Sequence, residues 1–188
     1  MKDSLREMIH LQLTRLDHAL DEITQLEDVY RSVVDFPFQD KLFATSLDLG
    51  IVVLLLVDSV DGMIDRIALS NTELAMGAVR ASAKPFHEIR IPLNDEQNII
   101  AQSIRKHKSI ATNDWNFLFT PALSADQARM NQTSASVECS IVEPLIHDVH
   151  GALIFSFFQP EHHLGMDHHI FLQKYAPIVS KHLSRFSK

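Results

Sequence analysis

The sequence predicts an α+β domain in which an antiparallel sheet is covered by helices on both faces, with a long helix at each end. Three observations carry this reading. Ile51 to Val57 and Ala152 to Phe158 are apolar at nearly every position, as in strands with no wet face. Each adjoins a turn signal, Asp61-Gly62 after the first and His147-Asp148-Val149-His150 before the second, so neighbouring strands run antiparallel. Both termini repeat apolar residues at helical spacing.

In order, residues 4 to 34 read as one helix, because Ile9, Leu13, Leu16, Leu20 and Ile23 alternate steps of four and three. Pro37 pushes Phe36 out of helical angles and should end it. A short helix follows over 39–47, then the strand 51–57 and its hairpin partner Met63 to Leu69. Residues 70–86 read as a connection with a helical turn, and Glu88 to Ile91 as a short strand ending at Pro92. Asn94 or Asp95 can cap a helix to Lys106. Ser109 to Ala111 is extended, 112–124 is an aromatic loop, and Ser124 opens a helix to Asn131. Val137 to Ile146 pairs with Gly151 to Phe158. A last helix spans Asp167 to Phe186 with the seam Leu172, Tyr175, Val179, Leu183 and Phe186, kinked or divided at Pro177.

The chain has 188 residues, 46% hydrophobic and 22% charged, an ordinary globular composition that argues against disorder and supports one full core. A formal charge of −7 and the lack of a sizeable basic patch argue against nucleic-acid binding. The longest wholly apolar run is far short of the ~20 residues needed to span a bilayer, and the start lacks a signal-peptide core. With one cysteine no internal disulfide forms, and a cytoplasmic location is expected.

Charge is unequal between the ends. Residues 17–40 carry a net −6, and residues 170–188 carry a net +4 from Lys174, Lys181, Arg185 and Lys188. Two amphipathic helices of opposite sign suit each other as packing partners. A helix over 4–34 would be about 45 Å long, longer than such a domain can cover. The expectation is therefore a homodimer through Ile9, Leu13, Leu16, Leu20, Ile23, Val179 and Leu183, the alternative being that both helices merely cover the sheet. The organisation expected is an N-terminal dimerisation or linker helix, 1–36, and a sensor domain, 37–188.

Several segments in order resemble the GAF domain family, small-molecule-sensing modules of signalling proteins with a profilin-like sheet. Leu54-Leu55-Leu56-Val57-Asp58 resembles the family's first core strand, and Ile91-Pro92-Leu93 followed by Ile99 to Ile104 its strand leading into the central helix. Ile110-Ala111-Thr112-Asn113-Asp114, Val137 to Leu145, Gly151 to Ser156 and Leu164-Gly165-Met166-Asp167 resemble later motifs, so the likeness spans about 42–186. It implies a pocket between the sheet and residues 87–130. The expected ligand-binding residues are Ile89, Asp114, Trp115, Phe117, Phe119, Met130, Glu138 and Ser140. The aromatics suit a small organic ligand and Asp114 offers a polar handle, although the same rings can simply plug a core.

The cyclic-nucleotide signature is absent, and Cys139 lies in a strand rather than at a bilin-attachment position. Reducing methionine sulfoxide through two thiols needs a second cysteine that this chain lacks. Gly-x-Ser-x-Gly, His-Glu-x-x-His and a phosphate-cradling glycine loop are missing. No enzyme and no cofactor is therefore expected; the residual enzymatic reading is a small redox enzyme using Cys139. His162, His163, His168 and His169 bracket the last loop, but adjacent imidazoles point apart, so no metal site is assigned to them. The expected function is a sensory or regulatory domain that binds an unidentified small molecule and signals through its terminal helices to a separate output protein. The alternative is a dimerisation or protein-interaction scaffold with a self-filled pocket. A cavity of ~300 Å³ or more would favour sensing and a packed one the scaffold.

Overall fold

The central strands sort their side chains by parity, and that sorting creates two cores. The computed structural model describes residues 2–146 and 149–186, with side chains from residue 5 onward. Six antiparallel strands form one sheet: β1 (Leu49–Val57), β2 (Met63–Leu69), β3 (Ile91–Pro92), β4 (Ile110–Thr112), β5 (Cys139–Pro144) and β6 (Gly151–Phe157). Their order across the sheet is β3-β2-β1-β6-β5-β4. In β1, Val52 and Leu54 join one core while Ile51, Val53 and Leu55 join the other. In β6, Leu153, Phe155 and Phe157 face the first core, and Ala152 and Ile154 the second. Side chains alternate across a strand, so apolar residues at every position require a helical layer on both faces. Leu54 and Phe155 are fully buried, as that architecture demands.

The first layer holds α1 (Lys2–Asp21), α2 (Leu26–Gln39), α3 (Lys41–Ser46) and α8 (Met166–Ser184). The second holds α4 (Glu73–Ala81), α5 (Ile99–Lys106), α6 (Asn116–Phe119) and α7 (Ala125–Ala135). Caps mark many boundaries: Asp40 opens α3, Thr72 opens α4, Asn98 opens α5, and Ser124 with Gln127 forms a capping box on α7. Asp95 is not the cap of α5; its carboxylate accepts instead from the amides of Gln97 and Asn98. Residues 70–86, read as a connection, contain the full helix α4.

The long N-terminal helix is corrected to two. Gln25 is extended between α1 and α2 and separates them. Arg185 donates to the carbonyls of Leu20, in the last turn of α1, and Ile23, just beyond it, placing a cation at the helix C-terminus. Nor does Pro37 end the second helix; α2 runs through it to Gln39. Likewise α8 passes Pro177 undivided. The boundary expected at 36/37 falls inside α2.

The terminal seam is also corrected. Ile9, Leu13, Leu16, Leu20, Val179 and Leu183 are buried within the chain, and Ile23 packs against the same core. Folding α1 back over α8 uses this stripe internally, so it is not a surface that a second copy can meet. Opposite charges follow the same intramolecular packing: Lys181 and His182 bond Asp17, Arg185 lies 3.9 Å from Asp21, and Arg6 pairs with Asp167. The expected turn at 147–150 lies partly outside the described residues, since His147 and Asp148 are not among them; Lys188 also falls outside.

Candidate functional site

The second layer leaves a small cavity against the sheet. Ile51 and Val53 of β1 and Ile154 and Ser156 of β6 form its floor. Ala75, Ala78 and Val79 of α4 cover one side; Trp115, Leu118 and Phe119 close another. Phe86, which opens a short 3-10 turn, and Ile89, which follows it, complete the lining. The volume is about 50 Å³.

Arg66 enters this apolar space from β2. Its side chain lies on the same face as Ile64, two positions earlier; beyond it, the register slips around Ile67, pairing Leu55 with Arg66 and Leu54 with Ala68. Arg66 is only 6% exposed. Its Nη2 donates to the Leu118 carbonyl at 3.3 Å, and the guanidinium carbon sits 4.4 Å from the Phe119 ring centroid and 6.0 Å from that of Phe86. These aromatic faces favour the cation. The Nε atom nevertheless has no hydrogen-bond partner. Burial lowers the arginine pKa to about 10, which leaves it charged at neutral pH. Asn131 of α7 also lines the cavity, 2% exposed, and its Oδ1 is a second buried atom without a partner.

A polar relay runs behind the floor. Trp115 Nε1 donates to Ser140 Oγ at 2.9 Å, and Ser140 Oγ lies 2.8 Å from Ser156 Oγ. The indole is thereby fixed, and its backbone N–H is held by Gln132 Oε1.

Of the expected ligand-binding residues, Ile89, Trp115 and Phe119 line the cavity, while Ser140 stands one hydrogen bond behind it. The remaining expected ligand residues point elsewhere. Asp114 is exposed and accepts from the Asn116 amide, serving the start of α6. Phe117 is 43% exposed on the outer side of that short helix, and Met130 is 59% exposed beside inward-facing Asn131. Glu138 precedes β5 on the surface. Arg66, Phe86, Leu118, Asn131 and Ser156 were missed. A signal existed for Arg66: it is two residues from Ile64, on the face that strand alternation buries.

Other candidate groups lie away from the cavity. Cys139 belongs to the core on the opposite sheet face, where burial pushes the thiol up to about 11. His168 is buried, with Nδ1 accepting from the Gly165 amide and Nε2 bonding the Leu47 carbonyl, so both ring nitrogens are engaged. His162, His163 and His169 are exposed.

No family model matches the sequence, and no curated protein matches it. Solved structures do match in shape over nearly the whole chain. The GAF domain from a phosphoenolpyruvate-protein phosphotransferase of Coxiella burnetii is 14% identical, with a TM-score of 0.69 over 97% of this chain and 96% of that one. The chain has the fold of a GAF domain. A second GAF domain, from an Acinetobacter phosphoenolpyruvate-protein phosphotransferase, is 12% identical with a TM-score of 0.64, covering 96% of this chain and 95% of that one.

The GAF fold also corrects the expectation that the chain is not an enzyme. Free methionine-R-sulfoxide reductase from Neisseria meningitidis, solved with its substrate, is 14% identical with a TM-score of 0.62 over 97% of this chain and 93% of that one. Enzymes and GAF domains of signalling proteins thus share this architecture, and the fold does not choose between them. Among the described residues, no helix is long and apolar enough to cross a membrane.

Proposed function

We propose that the chain is a sensory or regulatory module that takes a small molecule into the cavity beside Arg66 and signals through its terminal helices. The observation that carries this reading is a pair of unsatisfied buried polar atoms, Arg66 Nε and Asn131 Oδ1, on two residues that line one largely apolar cavity. Burying unpartnered polar groups is costly, so filling the space with a matching ligand is favourable. Coupling has a short physical route. Ile154 and Ser156 face the cavity, while Phe155 and Phe157, alternating with them on the same strand, meet Phe171, Tyr175 and His168 of α8. A ligand with different contacts in two cavity states would bias that packing.

The proposal extends to a homodimer and a separate output protein in the cytoplasm, with the dimer using surfaces other than the buried terminal seam. Light scattering tests it; a strict monomer at micromolar concentration removes the dimer. The scaffold reading is favoured by cavity size, about 50 Å³, well under the ~300 Å³ usual for ligand pockets. Against it stands the filling itself, because an aliphatic side chain would plug the space without burying a charge.

A thermal-shift screen of metabolites, followed by hydrogen exchange of any hit, tests the proposed function. Binding that slows exchange in α4 and changes it in α8 supports sensing. A chain unmoved by every compound supports the scaffold.

A further inference from the structure

We propose that the cavity selects a short carboxylate with a neighbouring hydrogen-bond donor, such as a small hydroxy acid or amino acid, its carboxylate on Arg66 and its donor on Asn131. This inference rests on the ligand-binding reading above and gives that ligand a chemistry.

Arg66 sets the charge. Its guanidinium is nine-tenths buried, and its donors have one carbonyl acceptor at 3.3 Å and two aromatic faces. Among the described residues no carboxylate forms an ion pair with it, and burial alone governs its pKa. A buried cation lacking a counter-ion is most readily completed by an anion, and Nε–H is the donor left open for a carboxylate oxygen.

Asn131 sets the second feature. Its unpartnered Oδ1 is an acceptor and calls for an O–H or N–H. Cavity size limits the rest. At roughly 10–15 Å³ for each water-sized occupant, about 50 Å³ holds about four non-hydrogen atoms, so lactate or alanine, with six each, enters only as Phe86 moves aside. The walls also argue against inorganic phosphate or sulfate. Val53, Leu69, Ala75, Ala78 and Ile154 offer no donors to their additional oxygens, and Ser156 Oγ is already paired with Ser140 Oγ, which leaves the Ser82 hydroxyl; the apolar walls suit a one- or two-carbon alkyl group.

The test is thermal shift and calorimetry on the full chain with L-lactate, L-alanine, propionate, propionamide and sulfate. Lactate or alanine at a hundredfold excess over its Kd should raise Tm by about 5–10 °C. Propionate should bind about 2–10-fold more weakly than lactate, having no donor for Asn131. Arg66→Met should lose at least about tenfold in lactate affinity. Should that variant fail to fold, Asn131→Leu provides the second reading: it should erase the preference for lactate over propionate while leaving propionate binding in place.

The inference is overturned if neither lactate nor alanine shifts the wild type, or if either shifts Arg66→Met equally. It is also overturned if sulfate reproduces the whole effect. A shift by propionamide without one by the carboxylates would sink the anion assignment yet keep the ligand-binding reading. Silence from every compound, including the wider screen, would remove both.

Discussion

Tyr175 on α8 donates its hydroxyl to the backbone carbonyl of Val33, 2.7 Å away, on α2. Val33 is four residues before Pro37, so it is the carbonyl to which a helical amide at position 37 would donate. Proline has no such amide. The tyrosine takes its place, which explains how α2 passes through Pro37 and remains helical to Gln39. The same ring packs edge-on against Phe155, 5.5 Å between centroids, and thereby ties the two terminal segments to the sheet centre.

Tyr175→Phe should keep that packing and orphan the Val33 carbonyl. The expected loss is about 1–3 kcal/mol, the cost of an unsatisfied buried acceptor. For a chain of this length each kcal/mol lowers Tm by roughly 2–4 °C. Urea and thermal melts with an unchanged m-value would check it. A neutral substitution would show that the proline position needs no external donor.

Leu16 and Leu20 decide between an internal and an intermolecular seam. Both are fully buried between α1 and its neighbours within one chain. Leu16→Ala should therefore cost about 2–5 kcal/mol of folding stability. Circular dichroism melts measured over a range of protein concentrations separate the cases. Loss independent of concentration fits the internal seam, whereas a folded chain that merely dissociates contradicts it.

The strands were legible because an uninterrupted apolar run has one reading in an antiparallel sheet: both faces covered. Ile51 to Val57 and Ala152 to Phe158 announced two helical layers, and the parity of their side chains divides the two cores. The break at Gln25 was harder to see. No glycine or proline marks it, and what stabilises the end of α1 is Arg185, over a hundred residues away in sequence. Pro37 misled for the same reason, since its compensation comes from Tyr175. At the cavity, the aromatic loop drew attention to Trp115 and Phe119, which line it. It also drew in Phe117, which a single turn of helix sends to the other side. Arg66 was overlooked because a charged residue in a strand is ordinarily solvated; only the slip of register at Ile67 and the rings of Phe86 and Phe119 explain its burial.

His168 should contribute a measurable pH dependence. Burial lowers its pKa below the usual 6.5, against the opposing influence of the Leu47 carbonyl and Asp48. The Gly165 amide points at Nδ1 and holds that nitrogen as an acceptor. Between the lowered folded value and 6.5, the unfolded chain binds a proton that the folded chain refuses. Stability from this group is therefore complete above 6.5 and declines as pH falls below it. Tm measured from pH 7.5 down to 5.5 should fall less steeply in His168→Gln, although that variant starts lower. An unchanged slope would assign the titration to another group.

Cys139 offers a probe of the global stability of the fold. It is fully buried in the core beneath α8, and burial raises its pKa to about 11, so the folded chain presents neither access nor a thiolate near neutral pH. A thiol reagent should react only with the opened chain, at a rate set by the population of that state when opening is rapid. Each 1.4 kcal/mol of destabilisation should then accelerate labelling about tenfold. Tyr175→Phe and Leu16→Ala should follow this relation, since both weaken the core that contains the cysteine. Labelling of the wild type at the rate of a free thiol would show that the core opens locally around Cys139, and the two variants would then leave the rate unchanged.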